Sequence, residues 1–223
     1  MVETNPRHDT TEGRGLLLAG LAAPIVLAVA VVVAGRFEPG YSHISQFVSE
    51  LGAVGASNRI VFSYGGLFLS GLLTVLFALG MYLLVKPSQS FVASSLLAAL
   101  AGFGRLVAGV FPCDAGCVIE NMSFLATLHA LAGFAALSSG AFAPLLLAMG
   151  LRRRRQSQLF WLSVGLGGAS LVLVFIMFGF GKGLPYVGVI QRLILAAFYT
   201  WVVAVALKVD ELRGPTTDVD WTA

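Results

Sequence analysis

Charged side chains are scarce in this chain. Only 11% of its 223 residues are Asp, Glu, Lys or Arg, whereas 57% are hydrophobic, and the mean hydropathy is +0.88. A soluble domain needs a more charged surface, so the composition excludes that class and indicates a protein that resides in the lipid bilayer. The net charge of +3 arises mostly from basic residues that set the membrane topology, so it does not indicate nucleic-acid binding.

The apolar residues occur in six blocks, each long enough to cross the hydrocarbon core as a helix of roughly 20 residues. Backbone groups in lipid must pair within their own segment, and the alternation typical of a barrel strand is absent from the sequence, so each block is predicted to be helical. The sequence therefore predicts an all-α, polytopic bundle of six transmembrane helices. The predicted spans are 16–34, 60–85, 91–110, 124–150, 159–178 and 187–207.

The basic residues predict the orientation of the bundle. One side would carry Arg7, Arg14, Lys86, the four arginines of 152–155, Lys208 and Arg213, and the other side only Arg36, Arg59 and Lys182. The positive-inside rule then places both termini in the cytoplasm of a multi-pass protein of the cell membrane. We expect a cytoplasmic leader at 1–15, a transmembrane domain at 16–207 and a cytoplasmic tail at 208–223. Acidic residues in the leader argue against a cleaved signal peptide.

The first outer loop, 36–58, has apolar residues at helical spacing. Ile44, Phe47, Val48 and Leu51 predict a short amphipathic helix at the membrane surface. Glu50 lies near the edge of the apolar face of that helix. Its carboxylate either points toward the bundle or is solvated like an ordinary loop residue.

The second outer loop, 111–123, contains the two cysteines of the chain, Cys113 and Cys117. Pro112 ends the third helix, and Asp114 follows the first cysteine. A disulfide is predicted because both cysteines lie in one loop on the oxidising side, with two free thiols as the alternative. Two cysteines and one aspartate are too few ligands for a metal site, and no metal is expected.

Polar residues interrupt three spans near their outer ends. Arg105 lies about 9 Å below the outer end of the third helix, at 1.5 Å per residue. His129 lies in the fourth helix, and Gln191 and Arg192 lie in the sixth. An intramembrane charge indicates a functional site, although a long side chain can also extend to the interface. Together with Glu50 and Asp114 these residues predict one polar cluster, which either binds a ligand or ties the loops down through arginine–carboxylate pairs.

The motifs in these segments resemble those of a known family. Ser49-Glu50-Leu51-Gly52-Ala53, followed by Asn58, is similar to the first-loop motif of the domain-of-unknown-function 998 (DUF998) family of bacterial and archaeal membrane proteins. Phe111-Pro112-Cys113-Asp114 resembles its motif after the third helix, and His129 and Gln191-Arg192 fit later landmarks. The resemblance covers about 16–207 and implies a six-helix membrane protein without an established activity. A likeness to the Frag1/DRAM/Sfk1 group is weaker.

Three functions are compatible with these residues. The first is binding or handling of a lipid or small amphiphile at the outer polar site, since arginines pair well with phosphate or carboxylate. Its predicted binding residues are Ser49, Glu50, Arg105, Asp114, His129, Gln191 and Arg192. The second is a membrane hydrolase in which His129 is the general base, Asp114 or Glu50 orients it, and an arginine stabilises an anion.

The sequence weakens the hydrolase hypothesis, because it has no G-x-S-x-G motif and lacks the three histidines expected of a zinc hydrolase. The third hypothesis is a structural or assembly subunit without a ligand. No cofactor is expected. The expected partners are membrane lipids and an amphiphilic ligand. The sequence is also compatible with a homo-oligomer.

Overall fold

A computed structural model describes residues 8–84, 88–152 and 157–208, and this part of the chain contains helices and no strands. The long helices are α1 His8–Phe37, α2 Leu69–Leu84, α3 Gln89–Val110, α4 Phe124–Leu151, α5 Ser157–Phe180 and α6 Val187–Leu207. A π-helical segment, Val61–Phe68, precedes α2 and completes the second span. All six spans are long and apolar enough to cross a membrane, which confirms the predicted all-α bundle.

Part of the charge pattern lies outside the described residues. These parts are 1–7 with Arg7, 85–87 with Lys86, 153–156 with three arginines of the basic run, and 209–223 with Arg213. The described part of α1 begins at His8, inside the predicted leader. The leader, the tail and the orientation of the termini therefore stay predictions.

The six helices form a ring. Each helix packs against the next along the chain, and α6 returns to pack against α1. Glycines allow the closest approaches, because a Cβ added to Gly71 of α2 would lie 2.7 Å from the carbonyl oxygen of Gly102 in α3. A Cβ on Gly104 would lie 2.6 Å from the carbonyl oxygen of Ala132 in α4. Small residues thus bring α3 into backbone contact with both of its neighbours.

The two ends of the ring differ. Three segments connect the helices at one end, which we call the loop end: 38–60, 111–123 and 181–186. Toward the opposite end, large side chains fill the ring, and Phe77 of α2 packs edge-on against Trp201 of α6 with ring centroids 6.2 Å apart. Both of these side chains are fully buried. Open space inside the described bundle is therefore concentrated near the loop end.

The short helix predicted in the first loop takes another form. It is a five-residue 3-10 helix, Val48–Gly52, in which Val48 and Leu51 are buried rather than spread on a membrane surface. The backbone before it bonds to α6 instead of to its own helix, since the N–H of Val189 donates to the carbonyl of Ile44 at 3.1 Å. Gly188 permits this contact, because a Cβ there would lie 2.9 Å from the same carbonyl oxygen.

Candidate functional site

Arg105 is buried inside the ring, with only 4% of its surface exposed. Its Nη1 donates to the carbonyl of Ala101 at 3.0 Å, and its Nε has no hydrogen-bond partner among the described residues. The guanidinium carbon lies 4.7 Å from the ring centroid of Phe198 and 5.0 Å from that of Tyr199. These aromatic faces offset part of the cost of burying the charge. The side chain stays in the bundle and does not extend to the interface.

His129 lies in the second turn of α4, opposite the end of α3. Its Nδ1 lies 2.8 Å from the carbonyl oxygen of Phe111 and 3.1 Å from that of Ala108. Because carbonyl oxygens only accept, Nδ1 must carry the proton, and Nε2 of the neutral ring keeps its lone pair. No described residue forms a hydrogen bond with Nε2. The histidine therefore satisfies the last carbonyls of α3 and leaves one basic nitrogen for another partner.

Gln191 joins α6 to the first loop. Its Oε1 accepts a hydrogen bond from the backbone N–H of Val48 at 2.6 Å. Since a backbone N–H requires an acceptor, this contact fixes the orientation of the amide. The NH₂ group of Gln191 then stays available as a donor, with no partner in the described part of the protein.

Arg192, the next residue, points away from Gln191 toward the first loop. Its guanidinium donates to the carbonyls of Gly188 at 2.9 Å and Gln46 at 3.2 Å, to the hydroxyl of Tyr41 at 2.7 Å and to Nδ1 of His43 at 2.9 Å. These contacts use neutral acceptors on the loop and on the first turn of α6. Arg192 therefore fixes the position of the first loop.

Glu50 pairs with a lysine. Its Oε1 lies 2.9 Å from Nζ of Lys182, with side chains 6% and 38% exposed, respectively. The carboxylate also accepts from the N–H of Phe47 at 3.0 Å and from Nε2 of Gln46 at 3.1 Å. Lys182 donates in addition to the carbonyl of Gly116. Lys182, in the connecting segment 181–186, thus joins the first and second loops.

The second loop is closed by internal bonds. Asp114 accepts hydrogen bonds from the backbone N–H and from the hydroxyl of Ser123, both at 2.8 Å. Both hydrogen bonds lower the pKa of the Asp114 carboxyl below its usual value of 3.8, and the bond from the backbone N–H has the larger effect. Cys113 and Cys117 form the predicted disulfide, with Cα atoms 5.1 Å apart. Sγ of Cys117 lies 3.7 Å from the hydroxyl of Ser49, which places the bridge against the first loop.

A cavity of about 480 Å³ opens at the loop end, between α3, α4, α5 and α6. Most of its wall is apolar. The larger apolar side chains that line it include Leu67, Phe134, Leu137, Met177, Phe178 and Leu195. Its polar lining consists of Ser49, Arg105, Glu120, His129, Lys182 and Gln191, beside the disulfide.

The predicted site residues thus divide into two groups. Ser49, Arg105, His129 and Gln191 line the same cavity. Glu50, Asp114 and Arg192 do not line it and instead hold the loops. Neither arginine forms a salt bridge with a carboxylate in the described part of the chain, because Lys182 takes Glu50 and Ser123 binds Asp114. The assignment of a binding role to these residues stays a prediction.

Sequence reasoning missed Lys182, which it counted only as a topological charge. A signal was present, since Lys182 is the one charged residue of 179–186 and lies between two glycines. Tyr41, Gln46 and Ser123 were missed as well, and nothing in their local sequence distinguishes them. The described residues contain no group of three or more His, Cys, Asp or Glu side chains placed to hold a metal ion.

Comparison with known proteins identifies the family. The model of the family described as "Protein of unknown function (DUF998)" matches residues 21–208. No curated protein and no solved structure matches the chain. Because the family match covers most of the chain, from within α1 to the end of α6, the chain, a polytopic membrane protein, belongs to the DUF998 family.

Proposed function

We propose that this protein binds a lipid or small amphiphile in the cavity at the loop end. The main support for this proposal is the cavity itself, whose volume of about 480 Å³ lies within the ~300–1,000 Å³ of typical small-molecule sites. Its mostly apolar wall, with a few polar groups, is the combination that recognises a hydrocarbon chain and orients a head group.

The apolar part of the cavity wall supports an amphiphile over a fully polar ligand. Phe134 of α4 and Phe178 of α5 line the cavity, and these residues are 50% and 45% exposed. Their rings contact edge to face, with centroids 4.9 Å apart. Beside them, Gly133 has no atom within 4 Å of an added Cβ. An acyl chain from the surrounding lipid would meet only apolar groups along this wall.

A variant that fills the cavity tests this function. Gly133→Leu adds a side chain into open space at the cavity wall and should reduce binding of a fluorescent lysophospholipid at least ~10-fold, since the chain would compete for the same volume. Gly165→Leu is the matched control, because Gly165 lies exposed on α5, away from the cavity, with equally open space. Equal binding by both variants and by the parent protein would contradict the proposal.

We propose further that the loop end faces the outside of the cell membrane and that both termini are cytoplasmic. The support is the distribution of basic residues in the sequence. Ser57→Cys, exposed in the first loop, should react with an impermeant maleimide in intact cells, whereas Gln158→Cys at the opposite end should react only after lysis. The reverse labelling pattern would invert the topology.

A membrane hydrolase is the second candidate, and the geometry of His129 favours it. A ring whose Nδ1–H is held by two carbonyls presents Nε2 as a general base in the cavity. The orienting groups would be the carbonyls, because Asp114 and Glu50 are bound elsewhere. His129→Gln should then abolish hydrolysis of a long-chain nitrophenyl ester, and absence of turnover by the parent protein would reject this candidate. If neither binding nor turnover is found, the results would favour the third hypothesis, a structural or assembly subunit without a ligand.

A further inference from the structure

We propose, resting on the binding function above, that the ligand of the cavity carries an oxyanionic head group, a carboxylate or a phosphate, and that Arg105 binds this group. The inference concerns the chemical class of the ligand. It rests on the hydrogen bonds that Arg105 lacks, on the absence of an acidic partner for it among the described residues, and on the donors that share its cavity.

The guanidinium of Arg105 is incompletely bound by the protein. A guanidinium carries five N–H donors. The described residues supply one acceptor, the carbonyl of Ala101, and leave Nε buried without a partner. A buried unsatisfied donor on a charged group is costly, so such a group indicates a partner that arrives from outside the chain.

No acidic residue in the described part of the chain compensates the charge. Glu50 is bound to Lys182, and Asp114 is bound to Ser123. Glu120 also lines the cavity, but it is exposed in the second loop and forms no salt bridge with Arg105 in the described structure. The two aromatic rings beside Arg105 offset only part of the free-energy cost of burying its charge. The cavity therefore presents an uncompensated cation within an apolar wall.

A second donor serves the same cavity. The Oε1 of Gln191 is occupied by the N–H of Val48, so its NH₂ is left to donate. A planar fork of guanidinium donors together with an amide donor matches the oxygens of a carboxylate or a phosphate. A neutral head group of hydroxyls would leave the charge of Arg105 unpaired.

Matched amphiphiles test the inference on the purified, delipidated protein in a neutral detergent. Dodecanoate and dodecyl phosphate are the anionic probes, dodecanol is the neutral probe, and acetate and inorganic phosphate are head groups without a chain. Dodecanoate or dodecyl phosphate should bind about 10- to 100-fold more tightly than dodecanol, the range expected for charge-assisted hydrogen bonds. Arg105→Gln should remove that preference, so that anionic and neutral probes bind about equally. Arg192→Gln, outside the cavity, should keep the preference.

The possible outcomes are distinguishable. Equal binding of anionic and neutral amphiphiles by the parent protein would overturn the inference while the binding function stands. Absence of binding by every amphiphile would overturn the binding function itself. Binding of acetate or phosphate as tight as that of the long-chain probes would assign the site to a soluble anion and would also overturn the amphiphile function.

Thermal unfolding separates a ligand-binding arginine from a structural one. Without ligand, Arg105→Met should unfold at the same or a higher temperature, because an unpaired buried charge is replaced by an apolar chain. Dodecanoate should raise the unfolding temperature of the parent protein but not that of the variant. Lower stability of ligand-free Arg105→Met would indicate a structural role. If that variant does not fold, Arg105→Lys should retain a weaker anion preference, and loss of discrimination without loss of charge would contradict the inference.

Discussion

Replacing Lys182 by methionine tests whether the three segments at the loop end form one cooperative unit. In the structure the lysine binds Glu50 of the first loop and the carbonyl of Gly116 in the second. Methionine keeps the aliphatic chain of the lysine and removes its charge. The change therefore isolates the polar contacts from the packing.

The expected loss follows from the exposure of the two partners. Exposed ion pairs contribute about 0.2–1 kcal/mol, whereas removing one partner of a buried pair costs about 3–5 kcal/mol. Here the side chain of Glu50 is 6% exposed and the side chain of Lys182 is 38% exposed. The carboxylate also keeps its hydrogen bonds from Phe47 and Gln46. We therefore expect Lys182→Met to lower the free energy of unfolding by about 1–2 kcal/mol, between those limits.

Equilibrium unfolding in mixed micelles measures this loss, and a double-mutant cycle with Glu50→Gln isolates the pair from the contact with Gly116. The coupling energy should be about 1 kcal/mol or more, because contacting partners are not independent. Arg59→Met is the control, since Arg59 lies in the first loop and its side chain has no hydrogen bond or salt bridge in the described structure. This variant should change stability by less than about 0.5 kcal/mol. A coupling energy near zero would refute the cooperative unit.

Three further predictions concern the supports of the cavity. Arg192→Ala should lower the free energy of unfolding by about 2–3 kcal/mol, because partly buried hydrogen bonds from a charged group are lost. The variant should still bind amphiphiles, and weakened binding without loss of stability would contradict the role of Arg192 in fixing the first loop. Partial desolvation by the surrounding protein, and then the charge of Arg192, lower the pKa of His43 below 6.5. The contribution of neutral His43 to stability is therefore present above that pH and is lost as the pH falls below it, and unfolding profiles of His43→Gln should lack this acid component. Replacing Cys113 and Cys117 by serine should lower the free energy of unfolding by at most about 2 kcal/mol, since the disulfide closes a very short loop. A larger loss in the same assay would show that the disulfide stabilises more than its own loop.

The helices were predictable because lipid leaves few alternatives. Backbone groups in hydrocarbon must pair locally, so an apolar block of sufficient length specifies a helix and its approximate ends. The π-helical turn at Val61–Phe68 was not predictable, since nothing in its sequence separates it from an α-helix. The first loop was predicted as a surface helix because its apolar spacing was read without α6, which provides the partners of its backbone.

The cavity residues were only partly predictable for a related reason. Arg105, His129 and Gln191 are conspicuous in the sequence because each is a polar residue in an apolar block. Which way Arg192 turns depends on how the ring closes, since neighbouring residues of a helix point about 100° apart. The pairing of Glu50 with Lys182 joins segments far apart in the chain, and local sequence contains no information on that distance.

The packed aromatic residues Phe77 and Trp201 have a consequence for what the cavity can do over time. Neither residue lines the cavity, and both are fully buried on the side away from the loop end. Within the described bundle the cavity is therefore closed at that side and does not continue through the membrane. A ligand bound there, as proposed above, would enter and leave on one side of the membrane only, and its occupancy would follow its concentration on that side. A concentration gradient across the bilayer would then neither load nor empty the cavity.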